Sequence, residues 1–238
     1  MAYVKFQPLV ALRAARRLLA NVDDLPQVFT IIEALSGNTL ERVTRRIAKS
    51  EEGRRLLATR PDVVDRLADR SGLARLPEGS LGRAYLAFVE RENISAEGIR
   101  EAAEAGKTIQ DLPAPLDWVN SRMRDTHDLW HAATGYSGDV LGETAMLAFL
   151  LAQTWNPGVA VITAIGMTKT LGVQSGAEVR RTIVDGFRRG RRAAWLPGVA
   201  WETLLARPLP EVRERLSLGE PPVYTEVRSS QLRMAAAA

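Results

Sequence analysis

The chain has 238 residues, 46% of them hydrophobic, enough for one substantial globular core without covalent staples. It contains no cysteine, which excludes disulfides and thiolate metal ligands and suits a reducing compartment. Its net charge of +4 rests on many arginines, but no zinc finger, RNP-type run or interleaved aromatic platform accompanies them, so a nucleic-acid partner is not expected.

The first segment, MAYVKFQPLVALRAARRLLA, lacks the uninterrupted apolar core and small-residue cleavage site of a secretory signal, so a cytoplasmic location is expected. Helical periodicity runs through the rest, with no alternating β-branched stretch and no internal repeat. It predicts helices over 8–20, 25–36, 39–49, 51–58, 61–71, 80–92, 95–105, 115–134, 139–155, 158–171, 177–192 and 209–216. Pro61, Pro77, Pro113, Pro157, Pro197 and Pro210 punctuate these as starts or stops. The expected fold is all-α, a single multi-helical domain over residues 1–220. Residues 221–238 read as an extended tail that adds little to the core.

In the first helix Leu9, Leu12, Leu18 and Leu19 alternate with Arg13, Arg16 and Arg17. Such a segment either lies in a bilayer interface or packs on its own protein. In the stretch 115–134, Pro115 suits a helix start and Gly135 a stop, and Leu116, Val119, Met123, His127 and Trp130 form one stripe. Asp139 is the expected cap of the next helix, which is apolar nearly all round. Residues 145–172 are the most apolar of all. Asn156-Pro157-Gly158 cuts them into pieces shorter than the ~20 residues that cross a bilayer. They are therefore either a buried hairpin or the wall of a hydrophobic tunnel. Further on, Arg180, Arg181, Arg188, Arg189, Arg191 and Arg192 cluster, with Arg181, Arg188, Arg189 and Arg192 on or near one side. They make either a solvated face or a site for anionic lipid headgroups, where each basic residue contributes roughly 1 kcal/mol.

The chemistry concentrates at one place. The two histidines, His127 and His131, are spaced i, i+4, and Glu143 follows twelve residues later. On a helix both imidazoles reach a single point, and a carboxylate from the start of the next helix completes a three-ligand set with open positions. Two histidines and one carboxylate serve catalytic zinc and non-haem iron alike. Asp128 is either a further ligand or the acceptor that fixes an imidazole. The metal is thus expected between two core helices, beside an apolar groove.

Other motifs fail. Gly106-Lys107-Thr108 imitates the end of a P-loop, but position 101 is Glu and no strand precedes it. No GxSxG elbow exists, and no histidine is left to serve a serine nucleophile. Phosphohydrolases of the HD type share the His127-Asp128 pair, but their usual upstream histidine is missing.

The string His127-Asp128-x-x-His131, eleven residues, then Glu143 resembles the HDxxHx11E signature of the Coq-four family of ubiquinone (coenzyme Q) biosynthesis. Arg124-Asp125-Thr126 before it, and Gly135 and Gly142 after it, look like the bacterial members in particular. Arg60-Pro61, residues 76–85 (LPEGSLGRAY), Trp201-Glu202 and residues 210–213 (PEVR) agree, so the similarity covers about residues 24–217. The resemblance implies an all-helical protein whose His127, Asp128, His131 and Glu143 bind a divalent metal, zinc, iron or similar. It implies removal of the ring carboxylate from a 4-hydroxy-polyprenylbenzoate, with or without hydroxylation of the same carbon, with His127, His131 and Glu143 catalytic through the metal. The other implied function is a non-catalytic prenyl-lipid-binding scaffold for the pathway's enzymes. The implied partners are the polyprenylated precursor, the inner face of the cell membrane, other ubiquinone biosynthesis enzymes and a second copy of the chain.

Overall fold

Prolines and small polar residues start most of the helices. In the computed structural model, which describes residues 5–109 and 112–237, Pro8 opens α1 (Pro8–Ala20) and Pro26 stands in the first turn of α2 (Leu25–Ala34). After α3 (Thr39–Ile47), Ser50 caps α4 (Glu51–Thr59) by accepting the Gly53 N–H. Ser80 and Ser95 do the same for α7 (Leu81–Glu92) and α8 (Ala96–Ala105). Asp139 and Asn156 cap α11 (Val140–Thr154) and α12 (Pro157–Thr170), each accepting two backbone N–H groups. Next come α13 (Gly176–Arg192), 3-10 turns at Leu196–Gly198 and Trp201–Thr203, α14 (Leu209–Arg215) and α15 (Ser229–Ala237). No strand occurs among the described residues, and the fold is all-α, as expected.

Two predicted helices are divided. The stretch 61–71 becomes α5 (Val64–Leu67) and α6 (Arg70–Ala74), because Asp69 accepts the Gly72 N–H at 2.8 Å and starts a new helix. The stretch 115–134 becomes α9 (Leu116–Asp125) and α10 (His127–Thr134). At the break the Thr126 hydroxyl donates back to the Arg122 carbonyl at 2.8 Å, a bond that competes with regular helix geometry. Both histidines therefore belong to α10, which Gly135 ends at a φ of +84°.

The centre is α11, which buries nearly all its side chains and lies between α12 and α13. Two glycines let α13 sit directly on it: a Cβ at Gly186 would stand 2.3 Å from the Ala145 carbonyl oxygen, and one at Gly190 2.5 Å from that of Phe149. Helix α10 packs on α7 and meets α11 through Thr134 and Met146. Helix α2 packs on α1, α8 and α12, and α3 on α9. No helix of the described residues is long and apolar enough to cross a membrane.

The arginine cluster needs one correction. Arg180, Arg181, Arg188, Arg191 and Arg192 are exposed, but Arg189 is buried. It sits among the small residues facing α11, where it donates to the carbonyls of Thr134 at 2.8 Å and Leu218 at 3.0 Å. On α1 the inward residues are Ala11, Ala14 and Leu18, leaving Leu9, Leu12 and Leu19 exposed beside Arg13, Arg16 and Arg17.

The C-terminal segment also does more than its composition suggests. Residues 221–228 are extended, but they form a strap over the start of α11. The Asp139 carboxylate accepts the Tyr224 hydroxyl and the Val227 N–H, both at 2.8 Å, and Val140 N–H returns a bond to the Val227 carbonyl at 2.8 Å. Val227 is buried, and the chain then turns helical as α15. Three such bonds at about 1 kcal/mol each predict that a chain ended after Pro222 opens locally at the start of α11. Hydrogen exchange of the Leu141, Gly142 and Glu143 amides should quicken by ten-fold or more; unchanged exchange would show that the strap holds nothing.

Candidate metal centre

Because α10 begins at His127, its two imidazoles lie one turn apart and meet edge to face, with ring centroids 4.7 Å from each other. Helix α11 starts at its Asp139 cap and brings Glu143 opposite them in its first turn. Glu143 Oε2 lies 3.3 Å from His131 Nε2 and 3.8 Å from His127 Nε2. One ligand atom from each residue falls within 4.8 Å of the others, so His127, His131 and Glu143 form a group able to hold a metal ion. It lies between two core helices, as the spacing predicts.

Each member is held differently. His131 is fully buried, and its Nδ1 meets the Tyr136 carbonyl at 3.1 Å while Phe88 stacks on its ring at 5.2 Å. With Nδ1–H donating to that carbonyl, Nε2 is the nitrogen that faces Glu143 and would offer its lone pair to a metal once its proton leaves. Nε2 is buried and makes no aligned hydrogen bond; it faces the Glu143 carboxylate as an ion contact at 3.3 Å. A cation between this nitrogen and the carboxylate would engage both as ligands in place of the proton they share. The residues therefore fit the ion. His127 is partly exposed, and its Nδ1 is 3.4 Å from Asp128 Oδ1. Asp128 is not in the three-residue group; its carboxylate lies on the opposite side of the His127 ring from Glu143.

Electrostatics tie the group together. Burial alone would lower the His131 pKa, but the adjacent Glu143 charge outweighs it and raises the pKa well above the usual histidine range. Burial would raise the Glu143 pKa, yet the two imidazoles hold it well below the carboxylate range. Without a metal the pair thus keeps a proton that a bound cation would displace.

A cavity of about 540 Å³ reaches His127 and Glu143. Val28, Phe29 and Ile32 of α2, Leu147 and Leu150 of α11, and Val159, Ile162 and Ile165 of α12 supply apolar walls. The apolar stretch 145–172 is thus a hairpin that walls a cavity. Sequence reasoning missed the opposite wall, where Asp117, Asn120, Ser121 and Arg124 line the space. Its signal was present: polar residues recur at steps of three and four toward His127. It also missed the supporting roles of Phe88 and Tyr136, which lie far from the motif or outside its pattern.

The sequence profile of the family described as coenzyme Q (ubiquinone) biosynthesis protein Coq4 matches residues 5–222. The chain is 31% identical over 184 residues to the mitochondrial ubiquinone biosynthesis protein COQ4 homolog 1 of Culex quinquefasciatus, a match covering 76% of this chain and 63% of the relative, less than two thirds of its length. It is 30% identical over 195 residues to the mitochondrial COQ4 homolog of Bos taurus, covering 82% of this chain and 71% of that one. A crystal structure of a Nostoc punctiforme protein, assigned by name to ubiquinone biosynthesis, has a TM-score of 0.65 at 24% identity. That similarity covers 91% of this chain and all of the other, and it shows the shared fold.

Proposed function

Because the chain belongs to the Coq4 family of coenzyme Q (ubiquinone) biosynthesis proteins, we propose that it removes the ring carboxylate of a 4-hydroxy-polyprenylbenzoate with a divalent metal held by His127, His131 and Glu143. The observation that carries this reading is the convergence of His127, His131 and Glu143, with the buried His131 Nε2 facing the Glu143 carboxylate, at an apolar cavity. When bound, the metal would supply a Lewis acid that takes up charge on the phenolate or carboxylate oxygens. The Tyr136 carbonyl fixes the His131 tautomer. Asp128, which the family resemblance puts in the metal site, takes the role of orienting His127 through Nδ1. The walls from α2, α11 and α12 hold the prenyl chain and keep water from the ring.

In the simplest balance the bond between ring carbon and carboxylate breaks, carbon dioxide leaves with neither of the bonding electrons, and a proton takes its place on the ring. With dioxygen and a redox-active metal, one oxygen atom would take the position instead and the other would leave as water, the two electrons and two protons coming from the ring as it passes from hydroquinone to quinone. Product mass separates the two outcomes. Turnover by purified protein, lost on chelation and restored by one metal, is the expected result. A protein that binds prenyl lipid but turns over no substrate with any divalent metal would be the scaffold instead.

The same reading takes a membrane surface as partner, since the prenylated substrate resides there. The exposed arginines of α13 and the exposed Leu9, Leu12 and Leu19 of α1 support it. The protein should float with anionic liposomes and detach as salt rises, because the Debye length shrinks to about 3 Å at 1 M. Salt-insensitive flotation, or none, would count against the arginines.

A further inference from the structure

The cavity wall built by α9 and α10 is polar where a prenyl chain alone would need it apolar. Asp117, then Asn120 and its neighbour Ser121, then Arg124 and His127 follow one another by helical turns, so one stripe leads along α9 to the metal centre, and all five line the cavity. Within this stripe Arg124 is anchored. Its Nε donates to Asp125 Oδ1 at 2.6 Å, and the Asp125 side chain is only 3% exposed. The other Asp125 oxygen accepts from Arg100 at 3.2 and 2.8 Å, and Arg100 is itself fixed by Asp62 at 2.6 Å. With both oxygens of its anchor occupied, Arg124 is held along one edge, and among the described residues its two Nη groups have no acceptor.

The rest of the lining does not attract an anion. Asp23, Glu33, Glu104, Asp117 and Glu143 are acidic, and the ammonium of Lys107 is engaged by Glu104 at 3.0 Å. Among the described residues Arg124 is the lining cation whose donors remain for a ligand, and it stands three positions before His127.

We infer that Arg124 recognises the ring carboxylate of the substrate through its Nη groups. This rests on the decarboxylase reading and gives it selectivity. Apolar walls bind a prenyl chain whether or not its ring is carboxylated, whereas a charge-assisted hydrogen bond from a planar guanidinium separates the two. It also orders the cycle: once carbon dioxide has left, the ring no longer carries the group Arg124 holds, so product is bound less tightly than substrate.

The test uses metal-free protein, so that no bound metal acts on the carboxylate, and the proton held by His131 and Glu143 is common to parent and variant. Calorimetry would compare a geranyl-bearing 4-hydroxybenzoate with the same molecule lacking its carboxylate. The unaltered protein should prefer the carboxylated ligand by about 10- to 100-fold, the usual range for a hydrogen bond to a charged group. Arg124→Gln should remove that preference by weakening the carboxylated ligand alone. Arg124→Lys should keep part of it, since a point charge lacks the fork of donors. An undiminished preference in Arg124→Gln, or equal weakening of both ligands, would overturn the inference. If the preference behaves as expected but no metal supports turnover, the carboxylate site stands and the decarboxylase reading falls. If the protein turns over and Arg124→Gln leaves KM unchanged, Arg124 alone is refuted.

Discussion

Replacing His131 by Ala should abolish tight metal binding and slow turnover about a thousandfold or more, the effect of losing ~4 kcal/mol of transition-state stabilisation. The structural cost should be far smaller. The imidazole stacks on Phe88 and bonds the Tyr136 carbonyl, contacts worth about 1–3 kcal/mol together. Glu143→Gln keeps the shape and deletes the ligand charge, and should match His131→Ala in turnover with still less effect on folding. Thermal unfolding separates the two contributions. A ligand that binds only the folded state at a thousand times its Kd adds about 4 kcal/mol of stability. The parent protein should therefore gain several degrees on metal addition, and both variants none. Asp128→Ala deletes the group beside His127 Nδ1 and should cost about 10- to 100-fold in metal affinity or rate. Folded variants that bind no metal yet sustain normal quinone output in cells would defeat the catalytic reading and leave the scaffold.

The site was legible because it is local. His127, His131 and Glu143 lie on two consecutive helices joined by a short turn, so helical spacing and one cap, Asp139, nearly fix their geometry. Most helix starts were legible for the same reason, since Pro8, Ser50, Ser80 and Asn156 act within one turn of themselves. What the sequence hid depends on contacts between distant segments. Arg189 looks like one more member of a basic run, and only the approach of α13 to α11 turns it inward onto Thr134 and Leu218. Tyr224 and Val227 sit in a segment rich in proline and polar residues, and nothing near them reveals that Asp139 lies 85 positions away as their acceptor in one case and 88 in the other. Thr126 broke a helix through a hydroxyl bond that helical periodicity does not register. The polar stripe of α9 is periodic, but its meaning required knowing that α2 and α12 leave a space before it.

Ile32→Trp and Ile162→Trp should each reduce kcat/KM on a long-chain prenylated substrate about a thousandfold while leaving metal affinity intact. The two residues line the cavity from different helices, Ile32 from α2 and Ile162 from α12, and neither belongs to the metal group. An indole added from either wall takes up part of a space of about 540 Å³. Each buried methylene is worth about 0.8 kcal/mol, so excluding one five-carbon unit of the tail forfeits roughly 4 kcal/mol, about a thousandfold. The loss should depend on the tail. In the parent protein affinity should climb with each added isoprene unit until the cavity is full, whereas the variants should reach their plateau at least one unit earlier. Overpacking is the competing effect and costs typically 1–3 kcal/mol of stability. It would fall more heavily on the buried Ile162 than on the half-buried Ile32, so agreement between the two variants argues for blockage rather than damage. Variants that fold, hold metal and keep the parent's dependence on chain length would show that the prenyl tail lies elsewhere.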